Sequence, residues 1–302
     1  MIIITGASGS FGRAAAEVLL ETVDPATLIL TTRTPAKLAD LAARGAQVRF
    51  ADFDDPATLA SAFAGGRRML LISTARVGTR VGQHRHAIEA AVQAGVGHIV
   101  YTSVVGAAEP GNPALVKLDH RATEEILERS GAAWTFLRDS QYAEAIAGAM
   151  VPGALAAGRI PDNGHEGHVA FVSRDDCVAC AAAVLTQHGH ENRAYDITGP
   201  ARLTIPQALA LASEIAGRTI VVERVDDEAM YRHFDALGLP RHASDDVPDG
   251  PIPWCSSDMV TFGQSIREGY FDTITDHVAR LTGRAPRSLR DVMLAFRDSW
   301  PA

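Results

Sequence analysis

The chain has 302 residues, which suits one large domain or two closely packed ones. Its 36 aspartates and glutamates outnumber its 28 lysines and arginines, so the formal net charge is -8. This composition argues against the basic excess that nucleic-acid and anionic-membrane binding require, and we expect neither partner.

Cysteine usage and hydropathy predict a cytoplasmic protein. Three cysteines, Cys177, Cys180 and Cys255, form too sparse and odd a set for a disulfide scaffold. Cys177 and Cys180 have the spacing of a redox motif, but they lie in an alanine-rich helical run that predicts two small core residues. We expect no membrane span, because no run of about 18 apolar residues occurs. The start MIIITG does not look like a signal peptide.

The first half of the chain alternates short β-rich runs with helical runs. The predicted strands are residues 2–5, 27–32, 46–52, 67–73, 96–103 and 132–138, with a helix after each of the first five. Strands that alternate with helices predict a doubly wound parallel sheet of the Rossmann type, with helices on both faces. The strands are continuously apolar, as strands covered on both faces should be.

The pattern loosens after about residue 150. Further strands are predicted at 168–173, 193–198 and 219–225, and the remaining segments read as helices around a loop from Leu239 to Pro253. We therefore expect a Rossmann domain in residues 1–150, with 168–198 returning to it. Residues 199–302 are expected to form a smaller C-terminal α/β substrate-binding region.

A glycine-rich turn, ITGASGSFG, lies directly between the first strand and the first helix. In that context the glycines permit a tight turn, close approach to a pyrophosphate and close helix–strand packing. The phosphate would meet free N–H groups at the helix N-terminus. The predicted contacts are Gly6, Ser8, Gly9, Ser10, Phe11 and Gly12. The alternative is an ordinary strand-to-helix turn.

The second strand is followed by basic residues where NAD-binding proteins usually carry an acid. No Asp or Glu occurs between Leu28 and Leu38, whereas Arg33 and Lys37 are available for a 2′-phosphate. We therefore predict NADP(H) rather than NAD(H); the alternative is that both cations are simply solvated.

Other cofactor contacts are predicted at the carboxyl ends of the later strands, where ligands of such sheets bind. Asp52 and Phe53 are expected at the adenine. Ser73 and Thr74 are expected at the pyrophosphate or ribose, with Thr102 at the end of the next strand.

Several stretches together resemble the NmrA-like atypical short-chain dehydrogenases. They are ITGASGSFG, TTRTPAKL, LLIST, YTSVVG, LDHRATEEIL and TFLRDSQYAEA, and the resemblance extends over nearly the whole chain. It is strongest to the quinone reductase and triphenylmethane dye reductase members. It implies that NADPH binds on the glycine loop with Arg33 at the 2′-phosphate. It also implies that the segment Asp139-Ser140-Gln141-Tyr142 passes near the nicotinamide. Relatives often carry Asn where this chain has Asp139.

The helix at 113–127 lacks the Tyr-x-x-x-Lys pair of short-chain dehydrogenases. By the resemblance, the lysine of related ether reductases falls on His120, and Val116 stands where a tyrosine would be. Hydride transfer belongs to the nicotinamide, and an acceptor that delocalises the arriving charge needs little acid help. A simple ketone leaves an alkoxide that requires a proton donor. The acceptor is therefore predicted to be a quinone or a similar conjugated aromatic compound.

Each remaining candidate has a structural alternative. His120 could donate a proton or hold a structural hydrogen bond. Ser103 could bind substrate or form a turn, and Tyr142 could donate to substrate or pack in the core. Trp254 and Phe262, with Phe271, could line an aromatic pocket or belong to the core. No metal is predicted, because the histidine pairs lack matching ligands at zinc-like spacing.

The sequence thus predicts an NADPH-dependent oxidoreductase acting on a small aromatic or quinone-like molecule. One alternative is a non-catalytic NAD(P)-sensing regulator of the NmrA type. Another is a reductase of a carbonyl or benzylic ether in an aromatic natural product, and His120 in place of lysine counts against the ether reaction. A homodimer is compatible with the sequence, which does not decide the assembly.

Overall fold

The computed structural model describes residues 1–78, 80–243 and 255–301. The strands are β1 (Ile2–Ile4), β2 (Leu28–Thr32), β3 (Gln47–Phe50), β4 (Arg68–Leu71), β5 (His98–Val104), β6 (Ala133–Asp139), β7 (Arg159–Asp162), β8 (Arg193–Ile197) and β9 (Val221–Arg224).

The helices divide between those that follow the strands and those of the C-terminal part. The first set is α1 (Ser10–Leu20), α2 (Ala39–Ala43), α3 (Leu59–Phe63), α4 (Arg80–Gln93), α5 (Leu115–Glu128), α6 (Ala143–Ala145), α7 (Val151–Ala157) and α8 (Arg174–Thr186). The second set is α9 (Ile205–Ala216), α10 (Asp227–Ala236), α11 (Ser256–Arg267), α12 (His277–Thr282) and α13 (Leu289–Phe296). A π-helical turn, Ile146–Met150, joins α6 to α7. None of the helices in the described ranges has the length and apolar character that crossing a bilayer requires.

The main sheet has seven parallel strands in the order β3-β2-β1-β4-β5-β6-β8. This is the predicted doubly wound Rossmann-type sheet, which is therefore confirmed. The order reverses between β1 and β4, and a dinucleotide crosses the carboxyl edge of such a sheet at that point. In sheets of this type the β1–β3 half would receive the adenine end of a dinucleotide, and the β4–β6 half would receive the nicotinamide end.

Helices cover both faces of this sheet. One buried cluster unites α1 and α8 with one face and includes Leu19, Leu30, Leu137 and both Cys177 and Cys180, which confirms the cysteines as core residues. A second cluster unites α3 and α4 with the opposite face, around Phe63 and Tyr101. Burial on both faces explains why the strands lack polar alternation.

A third cluster joins the helical run 143–157 to α9, α11 and α13, with Ile146, Leu209, Ile266 and Met293 in its centre. Segment 168–198 contributes β8 to the main sheet and packs α8 against α1. The division of the chain at residues 150 and 199 stays a prediction.

The structure differs from the predicted strands at two places. Residues 168–173 form no strand; the segment makes only single bridges, Tyr142 to Val172 and Val169 to Leu203. It lies beside the residues that follow β6 and β8 rather than beside a strand, so no ladder forms. The strand β7, which was not predicted, pairs with β9 in a separate two-stranded parallel sheet. Pro161 within it weakens the strand signal, because proline cannot donate to a ladder.

Candidate active site

The turn after β1 has the geometry of a phosphate-binding loop. Gly6 has a φ of 57°, in the left-handed region that favours glycine, and its carbonyl accepts a 2.9 Å hydrogen bond from the Gly9 amide. Gly9 caps α1 without any side-chain cap, and the first turn of α1 carries no acidic residue. The first N–H groups of α1 therefore remain available for an anion.

Close packing of α1 against this turn explains the third glycine. A Cβ on Gly12 would lie 2.5 Å from the Gly6 carbonyl oxygen and 2.8 Å from the Ala7 Cα. A Cβ on Gly9 would approach the same oxygen to 3.2 Å. The loop can therefore hold its shape only with glycine at position 12.

The other loop residues differ in what they can offer a ligand. The Phe11 side chain is buried in the core, so its predicted cofactor contact falls to the backbone. The Ser8 hydroxyl lies 2.7 Å from that of Thr32, which fixes it over the end of β2. Ser10, at the first position of α1, is exposed.

Two exposed cations follow β2. The side chains of Arg33 and Lys37 form no ion pair within the described ranges, whereas neighbouring Arg13 is held by Asp40 at 2.8 and 2.9 Å. Arg33 and Lys37 thus keep their charge available at the adenine end, where a 2′-phosphate would lie.

The predicted adenine contacts lie in a tight turn after β3. One carboxylate oxygen of Asp52 accepts the Asp54 amide at 3.1 Å, which leaves the other oxygen for a ligand. The Phe53 carbonyl accepts from His86 Nδ1 at 2.9 Å, and its ring is partly buried. Their contact with adenine stays a prediction.

The loop after β4 is fixed by its neighbours. The Ser73 amide donates to the Thr102 hydroxyl at 2.9 Å, and Arg80 Nη1 donates to the Ser73 hydroxyl at 2.7 Å. The Thr74 hydroxyl donates to Gln83 at 2.8 Å. Ser73, Thr74 and Thr102 therefore lie together at the carboxyl edge between β4 and β5, at the centre of the crevice.

A buried ion pair that the sequence analysis missed supports this loop. Arg80 and Asp119 are almost fully buried, with Nε and Oδ2 3.0 Å apart, and the Gly78 amide donates to the same oxygen at 2.6 Å. The available signal was an aspartate on the inward face of an amphipathic helix, since a buried carboxylate needs a partner.

His120 lies beside a tyrosine that was not singled out. The Tyr101 hydroxyl is 2.9 Å from His120 Nδ1, and both side chains are buried. Burial lowers the pKa of His120 well below its ordinary value and raises that of Tyr101. The pair is therefore uncharged at neutral pH. Because the Tyr101 proton stays on, its hydroxyl can donate to Nδ1, which leaves Nε2 as the N–H of the imidazole.

His84, from one of the histidine pairs, makes structural hydrogen bonds. His84 accepts the Thr74 amide with Nε2 and meets the Thr123 hydroxyl with Nδ1 at 2.8 Å. Burial lowers the pKa of His84 to about 3. Within the described ranges, no group of three potential metal ligands comes together.

Ser103 is committed to a buried network. Its hydroxyl donates to Glu124 at 2.7 Å, and Arg138 binds both oxygens of that carboxylate, at 2.9 and 2.8 Å. The contact of Ser103 with substrate stays a prediction, in which the hydroxyl oxygen could only accept, because its proton is already donated to Glu124. Its position on β5 turns the side chain toward α5.

The segment after β6 carries unpaired buried polar atoms. Tyr142 donates to Asp139 Oδ2 at 2.7 Å, while Asp139 Oδ1, the Ser140 hydroxyl and the Gln141 side-chain oxygen have no hydrogen-bond partner among the described residues. Burial raises the pKa of Asp139 to about 7, and the bond from Tyr142 opposes that rise only in part. Unpaired polar groups are costly unless a ligand or water completes them.

The aromatic pocket is only partly described. Phe271 is fully buried, and the ring of Phe262 packs against it with centroids 4.5 Å apart. Phe262 therefore lies at the margin of the third core cluster. Trp254 lies outside the described residues.

Lys117, near His120 in sequence, is buried and donates to the Pro110 carbonyl at 3.3 Å.

These features fit a dinucleotide. Free N–H groups lie on α1, and the part of the chain that the structure describes gives no ion pair to the cations after β2 and no hydrogen-bond partner to three buried polar atoms at the end of β6. The fold and site together define a nicotinamide-dinucleotide-binding protein. A family model described as NAD(P)H-binding matches residues 6–188. The chain belongs to this NAD(P)H-binding family, and the expected similarity to NmrA-like atypical short-chain dehydrogenases is confirmed.

Individual relatives agree with this assignment. The chain is 36% identical to quinone oxidoreductase 2 of Escherichia coli K12 over 252 residues, or 83% of this chain and 87% of the relative. A crystal structure of NADPH-dependent quinone oxidoreductase from E. coli complexed with NADPH matches with a TM-score of 0.88 and 31% identity, covering 97% of this chain and 98% of that one. Triphenylmethane reductase from Citrobacter sp., complexed with NADP(H), matches with a TM-score of 0.85 and 28% identity, covering 98% and 100%.

Replacing Gly12 by Ala should destabilise the protein. The new methyl group meets backbone atoms that cannot move aside, so we expect a loss of about 2 kcal/mol or more in the free energy of unfolding. Gly82→Ala is the matched control, because a Cβ there, in the first turn of α4, meets nothing within 4 Å and should leave the stability unchanged or raise it by less than about 1 kcal/mol. Urea unfolding measures both; equal stabilities for the two variants would contradict the close packing.

Replacing Asp139 by Asn should change how stability depends on pH. The folded-state pKa of about 7 lies above the ordinary 3.8, so the folded chain binds more protons and loses stability as pH rises from about 4 to 7. The loss is on the order of 4 kcal/mol. Asp139→Asn should therefore gain stability relative to the parent between pH 5 and 8. Thermal unfolding at stepped pH tests this, with exposed Asp298→Asn as control; parallel curves for parent and Asp139→Asn would refute it.

Proposed function

We propose that this protein is an NADPH-dependent reductase that transfers hydride to a quinone or a similar conjugated aromatic acceptor. The observation that carries the proposal is the uncharged, buried His120–Tyr101 pair. By the resemblance, His120 stands at the position of the lysine of related ether reductases, and Val116 stands where short-chain dehydrogenases carry their tyrosine. Such a pair orients groups well but supplies little acidity. It suits an acceptor whose own π-system takes up the arriving charge.

The bound dinucleotide supplies the hydride, and the residues of this chain bind and orient it. The α1 N-terminus and its glycine loop would hold the pyrophosphate. Arg33 and Lys37 would hold the 2′-phosphate, and the polar atoms of residues 139–141 would face the nicotinamide end. Two relatives are named for a quinone and for triphenylmethane compounds, which supports a conjugated acceptor here. A cytoplasmic location and a homodimer stay predictions of the sequence.

Turnover with a panel of acceptors tests the reaction. The panel holds a benzoquinone, a naphthoquinone, a cationic triphenylmethane dye and a simple aryl ketone, each with NADPH and with NADH. We expect NADPH oxidation with the quinones and the dye and little with the ketone, because only the ketone yields a localised alkoxide. Tight NADPH binding without turnover of any acceptor would contradict the reductase and favour a dinucleotide sensor.

Replacing Arg33 by Ala should remove the preference for NADPH. Losing a charge-assisted contact to the 2′-phosphate should raise the KM for NADPH about 10- to 100-fold and leave the KM for NADH nearly constant. Arg44→Ala, which removes an exposed arginine after α2, is the matched control. If Arg33→Ala and Arg44→Ala behaved alike, the 2′-phosphate would be bound elsewhere.

A further inference from the structure

The carboxyl group of Asp139 ends β6 at the carboxyl edge of the sheet. Asp139 is in register with Val104 of β5 and Ile197 of β8, so it belongs to the half of the crevice that receives the nicotinamide. Asp139 is 4% exposed; its Oδ2 accepts a hydrogen bond from Tyr142, and its Oδ1 has no hydrogen-bond partner among the described residues. Tyr142 is partly exposed and packs beside the cluster that contains Ala7 and Phe11 of the glycine loop.

The groups around Asp139 leave it without a counter-charge. On its own segment the acting group is Tyr142, and on α8 it is the Cys177 thiol, with Cys180 behind. Burial raises the pKa of both thiols, so they stay neutral.

The charged side chains near Asp139 interact with other groups. Arg174 stacks over the Tyr142 ring at 5.5 Å, and Asp176 binds Arg284. Among the described residues, no cation pairs with Asp139. An ionised Asp139 therefore lacks the positive partner that a buried carboxylate requires, and a ligand at this end of the crevice is placed to provide it.

A nicotinamide ring provides a charge that changes with its oxidation state: the reduced ring is neutral and the oxidised ring is a cation. The hydroxyl of Ser140 and the side-chain oxygen of Gln141 are buried and have no hydrogen-bond partner within the described ranges, which marks the same place as one that a polar ligand completes. A neutral Asp139 suits the reduced ring, and an ionised Asp139 suits the oxidised ring.

We propose that Asp139 loses its proton in step with oxidation of the bound dinucleotide, so that its new negative charge compensates the positive charge of the oxidised ring. The route of the proton rests on the function proposed above. Asp139 shares a 2.7 Å hydrogen bond with Tyr142, and Tyr142 is the member of the pair with exposed surface.

The step balances for a quinone. The acceptor gains two electrons and one hydrogen as hydride, and its oxygen takes the Tyr142 hydroxyl proton. A neutral Asp139 carries its proton on Oδ2, the oxygen 2.7 Å from the Tyr142 hydroxyl, and donates it to Tyr142 in the same step. The products are a hydroquinone and an Asp139 carboxylate opposite a cationic ring. Asp139 takes a proton from solvent when reduced dinucleotide replaces the oxidised form.

The decisive measurement is proton release on binding, which needs no acceptor. Titration calorimetry at pH 7, in two buffers of different ionisation enthalpy, should show net proton release on binding NADP⁺ relative to NADPH. The 2′-phosphate is common to both forms, so the difference isolates the ring. The ratio of affinities, NADP⁺ over NADPH, should rise about tenfold between pH 6 and pH 8 in the parent. It should not change with pH in Asp139→Asn.

Controls separate this role from simple positioning. Asp196→Asn removes a partly buried carboxyl from the opposite face of the same sheet edge and should keep the proton release. Tyr142→Phe should lower the ratio of quinone to cationic-dye turnover, because hydride alone converts the dye to a neutral product. An equal fall with both acceptors would remove Tyr142 from the proton route.

The outcomes also distinguish this proposal from the proposed function. Proton release by the parent without turnover of any acceptor would overturn the reductase and support charge compensation. Equal proton release by the parent and Asp139→Asn would overturn charge compensation, whatever the turnover.

Discussion

The distance between the Gly6 carbonyl and the first turn of α1 is the constraint on which the rest of the site depends. With 2.5 Å from that oxygen to any Cβ at position 12, α1 can approach β1 only through glycine. This approach aims the free N–H groups of α1 at the crevice where the strand order reverses. Binding of the pyrophosphate at the glycine loop then fixes where the nicotinamide half of the dinucleotide must lie, beside β5 and β6.

Buried carboxylates of α5 and β6 have different partners. Asp119 forms an ion pair with Arg80, and Glu124 forms one with Arg138, and both ion pairs brace α5. Asp139 instead lies beside the Tyr142 hydroxyl and the neutral Cys177 thiol. Asp139 thus differs from the two carboxylates of α5, because no cation among the described residues pairs with it.

The sequence predicted the sheet, the glycine loop and the exposed cations, because each follows from local pattern: apolar runs, a glycine spacing between strand and helix, and a missing acid before Leu38. It could not predict the partners of His120 or Ser103. Tyr101 and Glu124 are distant in sequence, and only the packing of α5 on β5 brings them into contact. The strand at 159–162 was not predicted for a related reason, since its partner strand β9 lies about 60 residues later in the chain.

The neutral His120–Tyr101 pair and the uncompensated Asp139 give the site a common character. Neither carries a fixed charge, whereas the exposed cations Arg33 and Lys37 lie at the adenine end of the described crevice. A dinucleotide is then held by its phosphates, whose charge is the same in both oxidation states. The His120–Tyr101 pair and Asp139 place no fixed charge beside its nicotinamide ring. An acceptor that spreads its own charge needs little more from the protein, whereas the charge created on the dinucleotide does need a partner, and Asp139 is the group placed to become one.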